Sequence, residues 1–375
     1  MAQRYMIKRK MKTGAPIRVL QVFFALDSGG VSNYVMNLYR EIDTEKIQFD
    51  FAMTGGKQSL YDGEVLERGG RIFYFDPDKS LIVNLRTILR EKGPFHAVHS
   101  HVFFYSGLVL AEARKARVPV RIAHAHNAHT GEPRSPARLV YEAGMQGLIH
   151  LHATHLLGCS EKACRYVFGK GVMRDPRAAV IPDGIDCARF AFDPLERERV
   201  RQEYGLTDRF VIGHVGHFNP AKNHEKILAV FREVCRRREN ASLLLVGEGE
   251  LEADIRNRAA EMGIIEKVVF AGAHKNVERY YQAMDVFLFP SRYEGFGMAM
   301  VEAQANGLAC LASEVVPRET NVDGRAVYLS LEEKDSIWAD RLLQAPVRSA
   351  EAFEKICEKF EASEVARDII RIYIS

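Results

Sequence analysis

Disulfide-capable spacing is missing from this chain of 375 residues: its six cysteines (Cys159, Cys164, Cys187, Cys235, Cys310 and Cys357) form no CxxC pair and no regular framework. A disulfide scaffold is therefore not expected, and a cysteine-held zinc site has no pair to build on. Cys235 and Cys310 lie in apolar runs, where a thiol acts as a small hydrophobe, and the pattern fits a reducing cytoplasm. Long apolar stretches are missing too. Nothing approaches the roughly 20 apolar residues that a membrane span needs. The opening residues are basic but no apolar segment follows them, so no signal peptide is expected. Charge of one sign is scarce: 52 Lys and Arg against 49 Asp and Glu leave a net +3, which argues against nucleic acid as a partner. The basic excess is local, in Lys8, Arg9, Lys10 and Lys12 and again in Arg114, Lys115, Arg117 and Arg121. Such runs read as solvated surface or, more sharply, as a face for an anionic membrane. No repeat of 20 to 50 residues and no low-complexity tract is visible.

What is present is ordinary globular composition, 47% hydrophobic and 27% charged, over a length that suits two domains. The recurring unit is a short apolar strand, a polar or glycine-containing turn, and a helix. Ile17 to Phe24 reads as the first strand; Asp27-Ser28-Gly29-Gly30 is a turn, after which Val31, Tyr34, Val35, Leu38 and Tyr39 recur at helical spacing. Ile47, Phe49, Phe51 and Met53 alternate, predicting a strand with one wetter face. Strands at 72–75, 95–101, 118–124, 153–158 and 179–181 continue the series. Ser160 and Gly169 bracket a helix with suitable caps. A strongly charged interval, Glu196 to Glu203, carries no strand and reads as the linker. A second series follows at 210–215, 243–246, 268–271, 286–289, 308–312 and 327–329. Alternation of this kind predicts parallel sheets covered by helices, hence two doubly wound α/β domains with a ligand cleft between the carboxyl ends of their strands.

The chemistry concentrates in Glu294-Gly-Phe-Gly-Met-Ala-Met-Val-Glu302, directly after a strand and Pro290. Gly295 and Gly297 allow backbone to approach a ligand, and a helix starting near Gly297 offers its free N–H groups and dipole to a diphosphate. Glu302, about five residues into that helix, stands roughly 7–8 Å along its axis, about the offset from a diphosphate to its ribose. Glu294 would point at the sugar end. The blander reading is two exposed glutamates on a loop and a helix.

Two glutamates separated by seven residues on this strand–turn–helix resemble the retaining family-four glycosyltransferases of the GT-B fold, especially those of bacterial capsular and exopolysaccharide assembly. The resemblance extends along most of the chain. Val180-Ile-Pro-Asp-Gly-Ile-Asp186 is similar to the family's hinge-proximal Pro-Asn-Gly-Ile-Asp, with Asp183 for the usual asparagine. Val246-Gly-Glu-Gly249, Tyr281-Gln-Ala-Met-Asp-Val-Phe-Leu-Phe-Pro290 and the glycine pair Gly29-Gly30 also match. The closing stretch, Ala362 to Tyr373, resembles a helix that crosses back onto the first domain. Family members clamp the diphosphate with an arginine and a lysine five residues later. Here Lys222 matches and His217 stands where arginine is usual, so one donor replaces a bidentate fork.

The resemblance implies GT-B architecture: an acceptor-side domain over 1–190, a nucleotide-sugar domain over 205–355, and a returning helix over 356–375. It implies transfer of a hexose or N-acetylhexosamine from a nucleotide diphosphate sugar, UDP by family expectation, to a hydroxyl acceptor, free or lipid-linked, with retention at the anomeric carbon. Neither metal nor other cofactor is expected. Lys222, His217 and the backbone at Gly29, Gly30, Gly297 and Met298 would face the phosphates. Glu302 would hold the ribose, and Glu294, Phe296 and His124 would orient the sugar. His124 follows from Ile122-Ala-His124-Ala, with His126 in reserve because the alignment can slip by two. Three local histidine clusters, His99/His101, His124/His126/His129 and His150/His152/His155, raise metal binding, but none has HExxH spacing and no cysteine pair accompanies them. Asp76-Pro77-Asp78 imitates the metal–diphosphate motif of the other large glycosyltransferase fold, and a proline turn explains it as well. Two other functions share the architecture: a sugar-nucleotide 2-epimerase, which would turn over the donor with no acceptor, and a non-catalytic nucleotide-sugar binding module.

Overall fold

The computed structural model describes residues 15–24, 30–55, 58–126 and 135–375. The basic run Lys8 to Lys12, Gly29 and His129 lie outside the described residues. The first sheet has seven strands: β1 (Ile17–Phe23), β2 (Ile47–Met53), β3 (Arg71–Tyr74), β4 (Ala97–Ser100), β5 (Val120–Ala125), β6 (His155–Gly158) and β7 (Ala178–Val180), in the order β3-β2-β1-β4-β5-β6-β7. The second has six: β8 (Phe210–Val215), β9 (Ala241–Val246), β10 (Val268–Gly272), β11 (Val286–Phe289), β12 (Ala309–Ser313) and β13 (Val327–Leu329), in the order β10-β9-β8-β11-β12-β13. Paired strands run parallel, and each crossover carries the chain through helix or loop on a sheet face. In both sheets the strand order reverses beside the first strand, β1 against β4 and β8 against β11. These switch points open crevices at the carboxyl ends of the strands.

β2 differs from its alternating sequence pattern, because all seven of its residues are buried. Gln48 and Asp50 look like the wet face but are enclosed by partners. Gln48 accepts from the Tyr39 hydroxyl (2.6 Å) and donates to the Arg68 carbonyl (2.9 Å). Asp50, 0% exposed, accepts from Arg18 Nε (2.6 Å) and from Arg71 Nε and Nη2 (2.9 and 2.6 Å). Burial pushes its carboxyl up, but the two guanidinium groups outweigh this and hold it below the usual carboxylate range.

The interval read as a linker is a helix, Pro194–Glu203, capped by Asp193 and packed against the helix Glu278–Ala283 of the second domain. Its charges are spent there. Arg197 donates to the carbonyls of Gln282 (2.9 Å) and Met284 (2.8 Å) and pairs with Asp285 (2.6 Å). Arg201 donates to the Ala283 carbonyl at 3.0 Å. Strong charge marked a docked helix because arginine can reach free carbonyls at the end of a neighbouring helix.

The chain crosses between the domains twice, and the crossings touch. Ile185 N–H donates to the Phe360 carbonyl and Ala362 N–H to the Ile185 carbonyl, each at 2.8 Å. A Cβ at Gly184 would stand 2.8 Å from Ala362 Cα, so only glycine permits this approach. The helix Ala362–Tyr373 then lies against Gly30–Glu41 of the first domain and buries Tyr373 completely. One apolar core runs from Leu20 and Val98 through Ile185 and Phe190 to Phe287 and Phe360.

Asp50→Asn removes one charge from a three-member cluster whose arginines are partly exposed. Urea unfolding at pH 7 should show a loss of about 2–3 kcal/mol, the lower part of the range for breaking a buried pair. Since the folded-state carboxyl is depressed, its contribution is present above about pH 4 and is lost as pH falls below it. The difference between wild type and variant should therefore shrink on acidification.

Candidate functional site

The two sheets face each other across a cleft of about 660 Å³. From the first domain it receives Gly30, which opens the helix after β1, together with His126 at the end of β5 and Asp183 near the crossing. The second domain contributes the loop after β8, with His217 and Lys222, and the segment after β11, with Glu294, Phe296, Gly297, Met298 and Glu302. Ser160 ties the walls together. Its hydroxyl caps its own helix by accepting from Ala163 N–H (3.1 Å) and donates across to the Gly295 carbonyl (3.1 Å).

Gly297 has φ +101°, the left-handed region open to glycine, and turns the backbone into the helix Met298–Ala305. The first-turn N–H groups of a helix have no intrahelical partner, and here Met298 and Ala299 line the cleft. Phe296 is buried with its ring edge-on to Phe360, 5.6 Å between centroids, so it joins the cleft wall to the returning segment.

Lys222 and Glu294 meet directly. The ammonium nitrogen is 2.6 Å from Glu294 Oε1, which also accepts from the Ser291 hydroxyl at 2.7 Å, and it lies 5.0 Å from the Phe289 ring centroid. His217 is exposed on the rim. Glu302 is half-buried and accepts from the Tyr281 hydroxyl at 2.7 Å. Burial pushes the Glu302 carboxyl up, Glu278 adds to this, and the Tyr281 hydrogen bond with Arg189 and Lys222 opposes it. The Ala299 carbonyl, 3.2 Å away, is a second and more distant acceptor for the same Tyr281 hydroxyl proton.

His124 does not line the cleft. It is 2% exposed and lies behind His126, ring centroids 4.2 Å apart. Burial pushes it well below the usual histidine range. The two-residue spacing on a strand puts both imidazoles on one side of the sheet, and His126, nearer the strand end, reaches the cleft. His99, His101 and His124 bring ring nitrogens within 4.8 Å of one another, but His99 Nε2 is already 3.0 Å from His124 Nδ1 in a hydrogen bond. His150 and His155 go elsewhere, to the Phe168 carbonyl (2.7 Å) and the Thr154 hydroxyl (3.0 Å). Asp76-Pro77-Asp78 is a turn away from the cleft. Asp76 accepts from Asp78 N–H (3.0 Å) and pairs with Lys79 (2.8 Å). The sequence pattern marks neither Tyr281 nor Ser160 as a site residue, although Tyr281 opens a motif and Ser160 reads as a cap. Their hydroxyls acquire a role only from elements distant in sequence.

An elevated carboxyl means that ionised Glu302 is held at a cost in the folded chain. Glu302→Gln keeps an acceptor for Tyr281 and removes that charge, so at pH 7 it should raise stability by up to about 1 kcal/mol, as seen where function opposes stability. The gain should shrink as pH falls through the raised folded value, where the wild-type carboxyl becomes neutral. Thermal unfolding of both proteins from pH 4 to 8 checks this.

Residues 28–189 match the family described as Glycosyltransferase Family 4, and residues 196–364 match Glycosyl transferases group 1. EpsF of Bacillus subtilis (strain 168) is 35% identical over 335 residues, 88% of this chain and 87% of that protein. The capsular polysaccharide biosynthesis glycosyltransferase CapH of Staphylococcus aureus is 23% identical over 366 residues, 96% of this chain and 99% of its own. The crystal structure of Anabaena Alr3699/HepE in complex with UDP and glucose superposes with a TM-score of 0.81 at 15% identity, covering 96% of this chain and 100% of that one. Two facing Rossmann-like domains, an interdomain cleft with a glycine-turned helix at its floor, and matches along both halves have one reading: the chain is a glycosyltransferase of the family-four, group-one kind, with the GT-B fold.

Proposed function

We propose that this glycosyltransferase moves a hexose or N-acetylhexosamine from a UDP-sugar to a hydroxyl acceptor with retention, without a metal ion, in capsular or exopolysaccharide assembly. The observation that carries the reading is the convergence of Lys222, the N-terminus of the helix Met298–Ala305, Glu294 and Glu302 on one interdomain cleft. Residues 1–190 form the acceptor side, 205–355 the donor side, and 356–375 the clasp. The name of CapH and the UDP and glucose bound by HepE support the pathway and the donor.

In this reading, bond cleavage at the anomeric carbon builds oxocarbenium character on the sugar and negative charge on the departing diphosphate. Lys222 and the first-turn N–H groups, including Met298, stabilise that charge; catalysis is electrostatic and positional. An ammonium has three hydrogens, so Lys222 can keep Glu294 while meeting a phosphate oxygen. His217 adds one rim donor, and Gly30 brings backbone close to the phosphates. Glu302 takes the ribose hydroxyls beside the Tyr281 bond it already holds. Glu294 and Phe296 orient the sugar, and His126, backed by His124, supplies the imidazole on the opposite wall.

Calorimetry with UDP and transfer assays in excess chelator test these roles. Glu302→Ala should weaken UDP binding by about 1–3 kcal/mol, the cost of leaving partners unpaired. Glu294→Ala should lower turnover more than UDP affinity. Equal losses of UDP affinity in the two variants, or activity that chelator abolishes and manganese restores, would overturn the assignment.

The acceptor in this proposal is membrane-held, and the chain works at the cytoplasmic surface of an anionic bilayer. Among the described residues no helix is long and apolar enough to cross a membrane. The helix Pro136–His152 instead exposes Leu139, Val140 (75%) and Leu151. Arg114 and Arg121 bind the carbonyls at its end, Leu151 (2.9 Å) and His152 (2.7 Å), placing cationic side chains beside exposed Leu151. Sedimentation with anionic vesicles should show binding that salt weakens and that a paired Val140→Asp, Leu151→Asp change reduces severalfold. Equal binding to neutral vesicles, or none at low salt, would remove this part of the proposal.

A further inference from the structure

Behind the cleft wall, four buried imidazoles at the ends of β4 and β5 form two hydrogen-bonded rows, and both rows start at Gln21 in β1. In the first, Gln21 Oε1 is 2.9 Å from His101 Nε2, and His101 Nδ1 is 2.8 Å from His126 Nε2. His126 Nδ1 then faces Asp183 Oδ1 at 3.5 Å. In the second, Gln21 Nε2 donates to the Tyr373 hydroxyl (3.0 Å), which is 2.7 Å from His99 Nδ1, and His99 Nε2 is 3.0 Å from His124 Nδ1. Both His126 and Asp183 are more than nine-tenths buried, both line the cleft, and the two facing atoms have no hydrogen-bond partner among the described residues.

A neutral imidazole carries one proton, so the direction of one bond dictates the next along a row. Burial keeps His99, His101 and His124 neutral by pushing them well below the usual range. In these rows the Gln21 amide has one end that can only accept and one that can only donate. Its Oε1 requires the proton of His101 on Nε2. His101 Nδ1 is then bare and accepts from Nε2–H of His126, which leaves His126 Nδ1 bare. Neither His126 Nδ1 nor Asp183 Oδ1, 3.5 Å apart, has a hydrogen-bond partner among the described residues. An asparagine at 183, usual in the motif this stretch resembles, could donate its own N–H to Nδ1. The carboxylate of Asp183 cannot.

We propose that Gln21 is a positioning residue: acting through His101, it holds the His126 proton on Nε2 and so presents bare Nδ1, beside the Asp183 carboxylate, as an acceptor for a substrate hydroxyl. The hydroxyl part rests on the sugar-transfer reading of the cleft; the position of the proton does not, and it can be measured without turnover.

The full chain labelled with ¹⁵N-histidine, at pH 8 and free of ligand, gives long-range ¹H–¹⁵N correlations that report which ring nitrogen is protonated, with His126 assigned by its loss in His126→Gln. Wild type should show His126 as one tautomer with the proton on Nε2. Gln21→Met should shift both His126 nitrogens to intermediate values of a mixed population, while the exposed His274 stays unmoved as a check on folding. Gln21→Glu, whose carboxylate still accepts from His101, should restore the Nε2 form. Tyr373→Phe cuts only the other row and should leave His126 as in wild type. A proton on Nδ1 in wild type, or an unchanged His126 in folded Gln21→Met, overturns the proposal. If Gln21→Met does not fold, the wild-type tautomer and Tyr373→Phe decide. A chain that transfers no sugar would leave these spectra as they are, so the two readings fail separately.

Discussion

Two peptide hydrogen bonds between chain segments about 175 positions apart hold the molecule's working geometry. Ile185 exchanges bonds with Phe360 and Ala362 where the chain crosses from one domain to the other, and Gly184 lets the backbones come that close. Each sheet could form without this contact, since each has its own strands and helices. The cleft could not, because its walls belong to different sheets. The returning helix extends the same constraint inward: Tyr373 ends it fully buried, bonded to Gln21 and His99 beneath the first sheet's switch point. The segment that closes the hinge is thus also in contact with the histidine rows behind the cleft.

Charge in the cleft is paired within the chain itself. Lys222 rests on Glu294, and Glu302 rests on Tyr281. Neither partner exhausts what it holds: an ammonium keeps further hydrogens, and a carboxylate keeps further lone pairs. Because each group is already oriented by one fixed partner, less side-chain freedom remains to be lost when a ligand arrives. The cost is borne by the free protein as a half-buried carboxyl pushed above its ordinary range.

Much of the architecture was legible in local patterns. Apolar runs such as Phe210–Val215 and Val286–Phe289 became strands at those boundaries, because central parallel strands are buried on both faces and need no alternation. The turn at Gly295 and Gly297 was legible since a helix following a strand through glycine has few other conformations. The misread segments were those whose polar residues find distant partners. β2 looked half-wet because Gln48 and Asp50 are polar, yet Tyr39, Arg18 and Arg71 enclose them. The charged interval near Arg197 reads as a linker because its partners, the carbonyls of Gln282 and Met284, lie some 85 positions on.

By itself, then, the sequence determined the strands, the glycine-turned helix and the family, since these follow from periodicity, backbone permissiveness and residues close along the chain. The tertiary structure decided which of two histidines two positions apart reaches the cleft, that Tyr281 serves Glu302, and that Gln21 meets both histidine rows. Each of these is a hydrogen bond or an exposure between residues on different strands and helices. A hydrogen bond forms only within about 3.5 Å, and no spacing along the chain says which side chains the packing of two domains will bring that near.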